Sequence, residues 1–159
     1  MDVMLRDLEP ADVGWLVEQH GVLYARAEGF DPSFGALVAE ILESYQRDRD
    51  PACERAWIAV RNGQRLGSIF CVRQDAETAK LRLFLLTPEA RGQGLGLRLL
   101  RACMGYARDT GYRRMVLWTH ESHRAACALY ARNGWQLVDA RPVHSFGVDL
   151  VEQAWEIAL

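Results

Sequence analysis

Three glycines stand at every second position in Arg91-Gly92-Gln93-Gly94-Leu95-Gly96-Leu97, between an apolar run ending at Leu86 and a segment with helical periodicity. Glycine permits positive φ and lets a ligand come close to bare backbone. A helix starting there offers unpaired N–H groups and a partial positive charge, which together suit a phosphate. Arg91 and Arg98 flank the loop and add cationic charge. The stretch reads as a pyrophosphate cradle held on the amides of Gln93 to Leu97. A dinucleotide loop, G-x-G-x-x-G, would place its third glycine one residue later, and a nucleoside-triphosphate loop would end in Gly-Lys-Ser/Thr. A tight strand-to-helix turn with no ligand is the remaining alternative.

Other side chains able to do chemistry are scattered. Tyr130 lies on the apolar side of the segment Arg124–Arg132, the position of a core tyrosine with its hydroxyl satisfied. His123 stands at the start of that segment, the position of a solvated capping residue. His20 and His144 are candidates for a base or a substrate contact, with a structural role as the alternative. Lys80 and Arg82 interrupt the apolar strand Lys80–Leu86; at period two they share a face with Phe84 and Leu86, while Leu81, Leu83 and Leu85 take the other. Arg82 then either meets an anionic group on a substrate or pairs with an internal acid such as Glu28 or Glu40. Cys53, Cys71, Cys103 and Cys127 are widely spaced with no C-x-x-C pair, so neither a zinc site nor a disulfide framework is expected, and no metal.

These residues need a frame. Val3 to Leu8 reads as a short strand, and Pro10 with Asp12 as a helix start followed by Val13, Leu16 and Val17. The pattern breaks at His20-Gly21, and a second helix restarts at Asp31-Pro32-Ser33 with a stripe of Leu37, Val38, Ile41, Leu42 and Tyr45. Ala56–Val60 and Leu66–Val72, joined through Asn62-Gly63, form a hairpin. After the strand Lys80–Leu86, stopped by Thr87-Pro88, Leu95, Leu99, Cys103 and Ala107 share one helix face. Met115–Thr119 is a strand, Arg124–Arg132 a helix ended by Asn133-Gly134, and Trp135–Val138 and Ala154–Leu159 two late strands with Pro142–Asp149 as a loop between them. The mixture predicts an α/β domain (α+β, one mixed central sheet flanked by helices) spanning residues 1–159.

At 159 residues the chain is long enough for one full core, burying about 70% of its unfolded surface. A net charge of −2 gives no electrostatic reason to expect nucleic acid. MDVMLRDLEP lacks the pattern of a signal peptide and no apolar run is long enough for a membrane, so a cytoplasmic protein is expected.

The run Arg91-Gly92-Gln93-Gly94-Leu95-Gly96 resembles the R/Q-x-x-G-x-G/A acyl-coenzyme-A loop of the GNAT N-acetyltransferase superfamily throughout. Leu86-Thr87-Pro88-Glu89-Ala90 is similar to that family's strand-to-loop approach. Ala126-x-x-Leu129-Tyr130-x-x-x-Gly134-Trp135 is similar to its second conserved block. Gln19-His20-Gly21-x-x-Tyr24 and His144-Ser145-Phe146-Gly147-x-Asp149-Leu150-Val151 resemble a subgroup often fused behind a MarR-type DNA-binding domain, of which this chain would be the acetyltransferase half.

The resemblance implies the GNAT fold, acetyl-coenzyme A as co-substrate, and N-acetylation of a primary amine on a small molecule, with an amino-acid-like one among the options, or on a protein. It implies that two strands part beside the cofactor, that the main chain of Leu83, Leu85 and Leu86 grips the pantetheine arm, and that Tyr130 is the acid for the thiolate. His123 stands where many members carry an asparagine. No glutamate occupies the strand position that often supplies the base, so a base comes from elsewhere, from water, or is not needed. A non-catalytic acyl-coenzyme-A sensor is the alternative function. The oligomeric state is open, a homodimer included.

Overall fold

The computed structural model describes residues 2–159. The order of elements is β1 (Met4–Arg6), α1 (Asp12–Glu28), α2 (Pro32–Asp48), β2 (Arg55–Arg61), β3 (Gln64–Arg73), β4 (Thr78–Leu86), a single 3-10 turn (Pro88–Ala90), α3 (Leu95–Thr110), β5 (Arg114–His120), α4 (Arg124–Arg132), β6 (Gln136–Ser145) and β7 (Val148–Ala158). The strands form one seven-stranded mixed sheet, β1-β2-β3-β4-β5-β7-β6, in which β4 and β5 run parallel and every other pair is antiparallel.

Alternating side chains divide the core between two faces. Ala56, Ile58 and Phe70 meet Leu16, Val38, Leu42 and Tyr45 of α1 and α2. Trp57, Ala59, Ile69 and Cys71 point the other way, onto Leu99, Leu100, Cys103 and Ala107 of α3. Each fully buried leucine of α3 contributes about 1.5–3 kcal/mol relative to exposure, so this face fixes where the helix begins.

Three expectations are corrected. α1 runs unbroken through His20-Gly21. Gly21 serves packing there: a Cβ on Gly35 of α2 would lie 3.9 Å from the Gly21 Cα, so the two glycines let the helix backbones approach. The Pro142–Asp149 loop is instead part of a long β6–β7 hairpin, turned at Phe146-Gly147 with φ of 55° and 78°. Pro142 is tolerated because β6 is the edge strand of the sheet, where a missing N–H costs no ladder bond on the open side.

The third correction lies in β4. Its register against β3 shifts between Ser68 and Phe70, which face Leu85 and Arg82, so β4 carries one extra residue. Leu83 sits at φ 48°. The bulge reverses the alternation: Leu83 packs with the α1–α2 face, while Phe84 and Leu86 join Leu81 on the α3–α4 face. Lys80 and Arg82 therefore do not share a face with Phe84 and Leu86.

Candidate active site

The parallel ladder between β4 and β5 covers only Thr78–Lys80 against Arg114–Val116. From Leu81 onward β4 has no partner on its β5 side, and the two strands part. Two cavities open in the gap. One, of about 410 Å³, lies on the loop side and is lined by Leu85, Leu86, Arg91, Gly96, Arg124 and Leu129 among others. The other, of about 250 Å³, lies toward α1 and α2 and is lined by His20, Lys80, Arg82, Leu83, His120 and Tyr130 among others. Tyr24, Phe84, His123 and Ala126 line both, so the cavities meet at those residues.

The glycine loop borders the first cavity. Gly92 and Gly94 adopt φ of 74° and 76°, and a Cβ at either would meet nothing within 4 Å. The first backbone bond of α3 runs from the Arg98 amide to the Gly94 carbonyl. Among the described residues, the amides of Gly92, Gln93, Gly94, Leu95, Gly96 and Leu97 donate to no acceptor. Gln93 braces the loop instead with its side chain, donating to the Glu89 carbonyl at 2.9 Å and accepting from Arg61 at 3.2 Å. The Leu95 side chain is buried in the core. Arg98 turns away and donates to the Val3 carbonyl at 2.6 Å, leaving Arg91 as the loop's cation on the cavity.

The bulge of β4 is built from the strand behind it. The buried Ser68 hydroxyl donates to the Leu83 carbonyl at 2.7 Å. Gly67 faces Leu86 across the ladder, and a Cβ there would fall 2.5 Å from the Leu85 carbonyl oxygen and 2.9 Å from a Leu86 methyl. No side chain fits at position 67 while β4 holds this course.

Tyr130 is 3% exposed and lies between Trp135, Trp155 and Phe84, with ring centroids 5.6, 6.0 and 6.3 Å away. Burial raises its phenol well above the ordinary tyrosine range, and nearby Tyr24 adds to this, so it holds its proton at neutral pH. His123 caps the start of α4; its Nδ1 lies 3.1 Å from the Thr119 hydroxyl, and its buried Nε2 has no partner. Burial lowers its pKa to about 4, helped by His120 and opposed by Glu28. His144 is exposed on β6 against Asp149 at 2.8 Å and lines neither cavity, so it is not gathered with the others.

Of the histidines singled out in the sequence, His20 joins the site, whereas no role for His120 or Tyr24 was legible from the chain. His20, 2% exposed, donates from Nδ1 to the Leu16 carbonyl at 2.7 Å, because a carbonyl only accepts; its Nε2 is a bare, unpartnered acceptor. Burial lowers its pKa to about 4. His120 also has a buried, unpartnered Nδ1, and burial lowers its pKa. Tyr24 packs on His123 at 4.8 Å and on Phe34 at 4.8 Å, in an aromatic wall that Phe30 and Phe146 complete. The signal was the spacing of aromatics from Tyr24 to Phe34, hidden by the false helix break at His20-Gly21.

The acetyltransferase (GNAT) family profile matches residues 13–135, a span that runs from α1 past Tyr130. N-acetyltransferase 8 of Rattus norvegicus is 34% identical over 104 residues, covering 62% of this chain and 46% of that protein. The chain thus spans about half the length of the curated relatives it matches. Among solved structures, an N-acetyltransferase from Staphylococcus aureus Mu50 superposes with a TM-score of 0.80 at 18% identity, over 99% of both chains. The structure of yncA from Salmonella typhimurium with its cofactor acetyl-CoA superposes at 0.77 with 20% identity, over 100% of this chain and 95% of that one. At these identities the superpositions establish a shared fold.

Proposed function

The chain belongs to the acetyltransferase (GNAT) family, and from that premise we propose that residues 1–159 act as one catalytic domain transferring the acetyl group of acetyl-coenzyme A to a primary amine. The observation that carries this reading is the parting of β4 and β5 beside a helix start whose amides are unmet. The residues fit the group: Gly92 and Gly94 have open space beside them, the loop amides are free donors, and Arg91 and Gly96 line the cavity of about 410 Å³.

Acetyl-coenzyme A supplies an acetyl thioester when bound. The amides of Gln93 to Leu97 hold its pyrophosphate, with Arg91 beside them. The unpaired edge of β4 at Leu83, Leu85 and Leu86 offers main-chain groups to an extended arm, as a sheet edge does to a strand. Tyr130, protonated and buried, gives its proton to the sulfur as the carbon–sulfur bond breaks and the amine nitrogen bonds the acetyl carbon. The unpartnered nitrogens of His20, His120 and His123 are free to hydrogen-bond the amine or a water and so orient it; burial lowers the pKa of all three and favours the neutral imidazole. Once the nitrogen has bonded the acetyl carbon its surplus proton is acidic, and it passes through water to the phenolate left on Tyr130, which restores the acid. The similarity of Gln19–Tyr24 and Phe146 to the MarR-fused subgroup fits this reading, because His20 and Tyr24 line the acceptor end and Phe146 packs on Phe34 and His120 behind it.

Mass spectrometry of products from acetyl-coenzyme A and an amine panel tests the proposal. Acetylated amine, dependent on Tyr130, is expected. Tight acetyl-coenzyme A binding with no product from any amine would favour a sensor instead.

A further inference from the structure

Arg82 lines two spaces at once: the cavity toward α1 and α2, and a rear cavity of about 230 Å³ between α2 and the strands β3 and β4. It is half-buried, and among the described residues its guanidinium forms no ion pair and no hydrogen bond. Neither Glu28 nor Glu40 reaches it. The other charged groups nearby are engaged, apart from the Arg73 guanidinium, which is exposed at the rim of the rear cavity. The Lys80 ammonium lies 4.8 Å over the Trp118 ring. Arg49 donates to Asp7 at 2.8 Å and to the Glu54 carbonyl at 3.2 Å. Glu54 accepts from the Asp50 and Arg73 amides, and Asp48 pairs with Arg47. A second donor is stranded beside Arg82: Tyr45 of α2 is 7% exposed, lines the rear cavity, and its hydroxyl has no partner.

A half-buried guanidinium and a buried phenol, both unmet, are costly unless something supplies acceptors. A carboxylate does so in the geometry a guanidinium favours, two parallel N–H···O bonds, with an oxygen lone pair left for a hydroxyl. Resting on the acetyltransferase reading of the cleft, we infer that the acceptor is an amine that also carries a carboxylate, its nitrogen in the cavity beside Tyr130 and its carboxylate on Arg82 where the rear cavity opens, with the Tyr45 hydroxyl as second donor. The acceptor is then a small amino acid, and Arg82 is the residue that selects it.

Initial rates with α-, β- and γ-amino acids and their matched carboxamides, at saturating acetyl-coenzyme A, test this. Losing a charged hydrogen bond is expected to cost about 10- to 100-fold. Wild type therefore prefers acid over amide by at least about tenfold in kcat/KM, Arg82→Met loses the preference, and Tyr45→Phe reduces it. Calorimetry of N-acetyl amino acids on the coenzyme-A-saturated protein reads the same site without turnover: the acids bind, their amides do not, and Arg82→Met abolishes binding. Equal rates for acid and amide, or a preference that survives in Arg82→Met, overturn the inference while the acetyltransferase reading stands. Binding of N-acetyl acids through Arg82 with no amine acetylated supports the carboxylate site and removes the activity. No binding and no turnover removes both.

Discussion

The Ser68 hydroxyl donates to the Leu83 carbonyl at 2.7 Å, tying a fully buried residue of β3 to the one residue of β4 that leaves the pleat at positive φ. A non-glycine residue held there stores strain that its surroundings must over-determine. Ser68→Ala leaves that carbonyl unmet in the interior, at a cost of about 1–3 kcal/mol. Urea unfolding is expected to show the loss, and acetyl transfer is expected to fall at temperatures where the variant remains folded. Unchanged turnover would detach the bulge from the chemistry.

Gly94 tests the cradle, with strain separated from obstruction. Gly94→Val puts a β-branched residue at φ 76° and is expected to lose both stability and acetyl-coenzyme A affinity. Gly94→Asn tolerates that φ, yet places a side chain in the open space before the amides. Calorimetry should show weakened acetyl-coenzyme A binding in both, with a near-native Tm for the asparagine variant only. Native affinity in both would remove the cradle.

Tyr130→Phe keeps the ring between Trp135, Trp155 and Phe84 and removes only the hydroxyl. A general acid contributes about 10²- to 10⁴-fold, so kcat should drop within that range while acetyl-coenzyme A affinity holds. A variant that turns over normally would assign the proton to another group.

Acid sensitivity should come from buried imidazoles. Burial lowers the pKa of His20 and His123 from 6.5 to about 4, so between those values the unfolded chain binds protons that the folded chain does not. Stability is therefore full above about pH 6.5 and falls as pH drops toward 4; the Asp12 window, from 3.8 to about 2, lies below it. Thermal unfolding against pH should show that slope, and His20→Phe should flatten it. An identical slope in the variant would place the acid sensitivity elsewhere.

Asp12 anchors the front of the sheet. Burial alone would raise its pKa, but hydrogen bonds from Arg6, the Glu9 amide and Arg65 outweigh that and hold it at about 2. The carboxylate is fully buried while both arginines are partly exposed. Asp12→Ala leaves two guanidiniums without their acceptor and should cost about 3–5 kcal/mol in denaturant unfolding.

The order of strands and helices was legible because each boundary carries its own chemistry: Asn62-Gly63 turns with φ of 53° and 74°, and Gly29, Gly111 and Gly134 end helices in the left-handed region. The positive φ of Gly92 and Gly94 was legible for the same local reason, and the burial of Tyr130 from the apolar side of its helix. What stayed hidden depends on contacts across the fold. Gly21 looked like a break because nothing in the sequence says that Gly35 lies against it. The faces of Leu83, Phe84 and Leu86 were misjudged because the extra residue in β4 is set by pairing with β3, and pairing leaves no mark on Leu83 itself. His120 and Tyr24 converge from a strand and a helix far apart in the chain, so no spacing announces them.

Gly67 carries the bulge further than its own strand. A saturation library scored for acetyl transfer would return an intolerant position in the middle of β3, with a profile usually credited to residues that touch substrate. Alanine there would fail as badly as tryptophan, since the first carbon added already collides with the Leu85 carbonyl. Tolerance would return only in clones that also alter β4, so the second-site suppressors of Gly67 variants would map the course of a strand that makes the cleft.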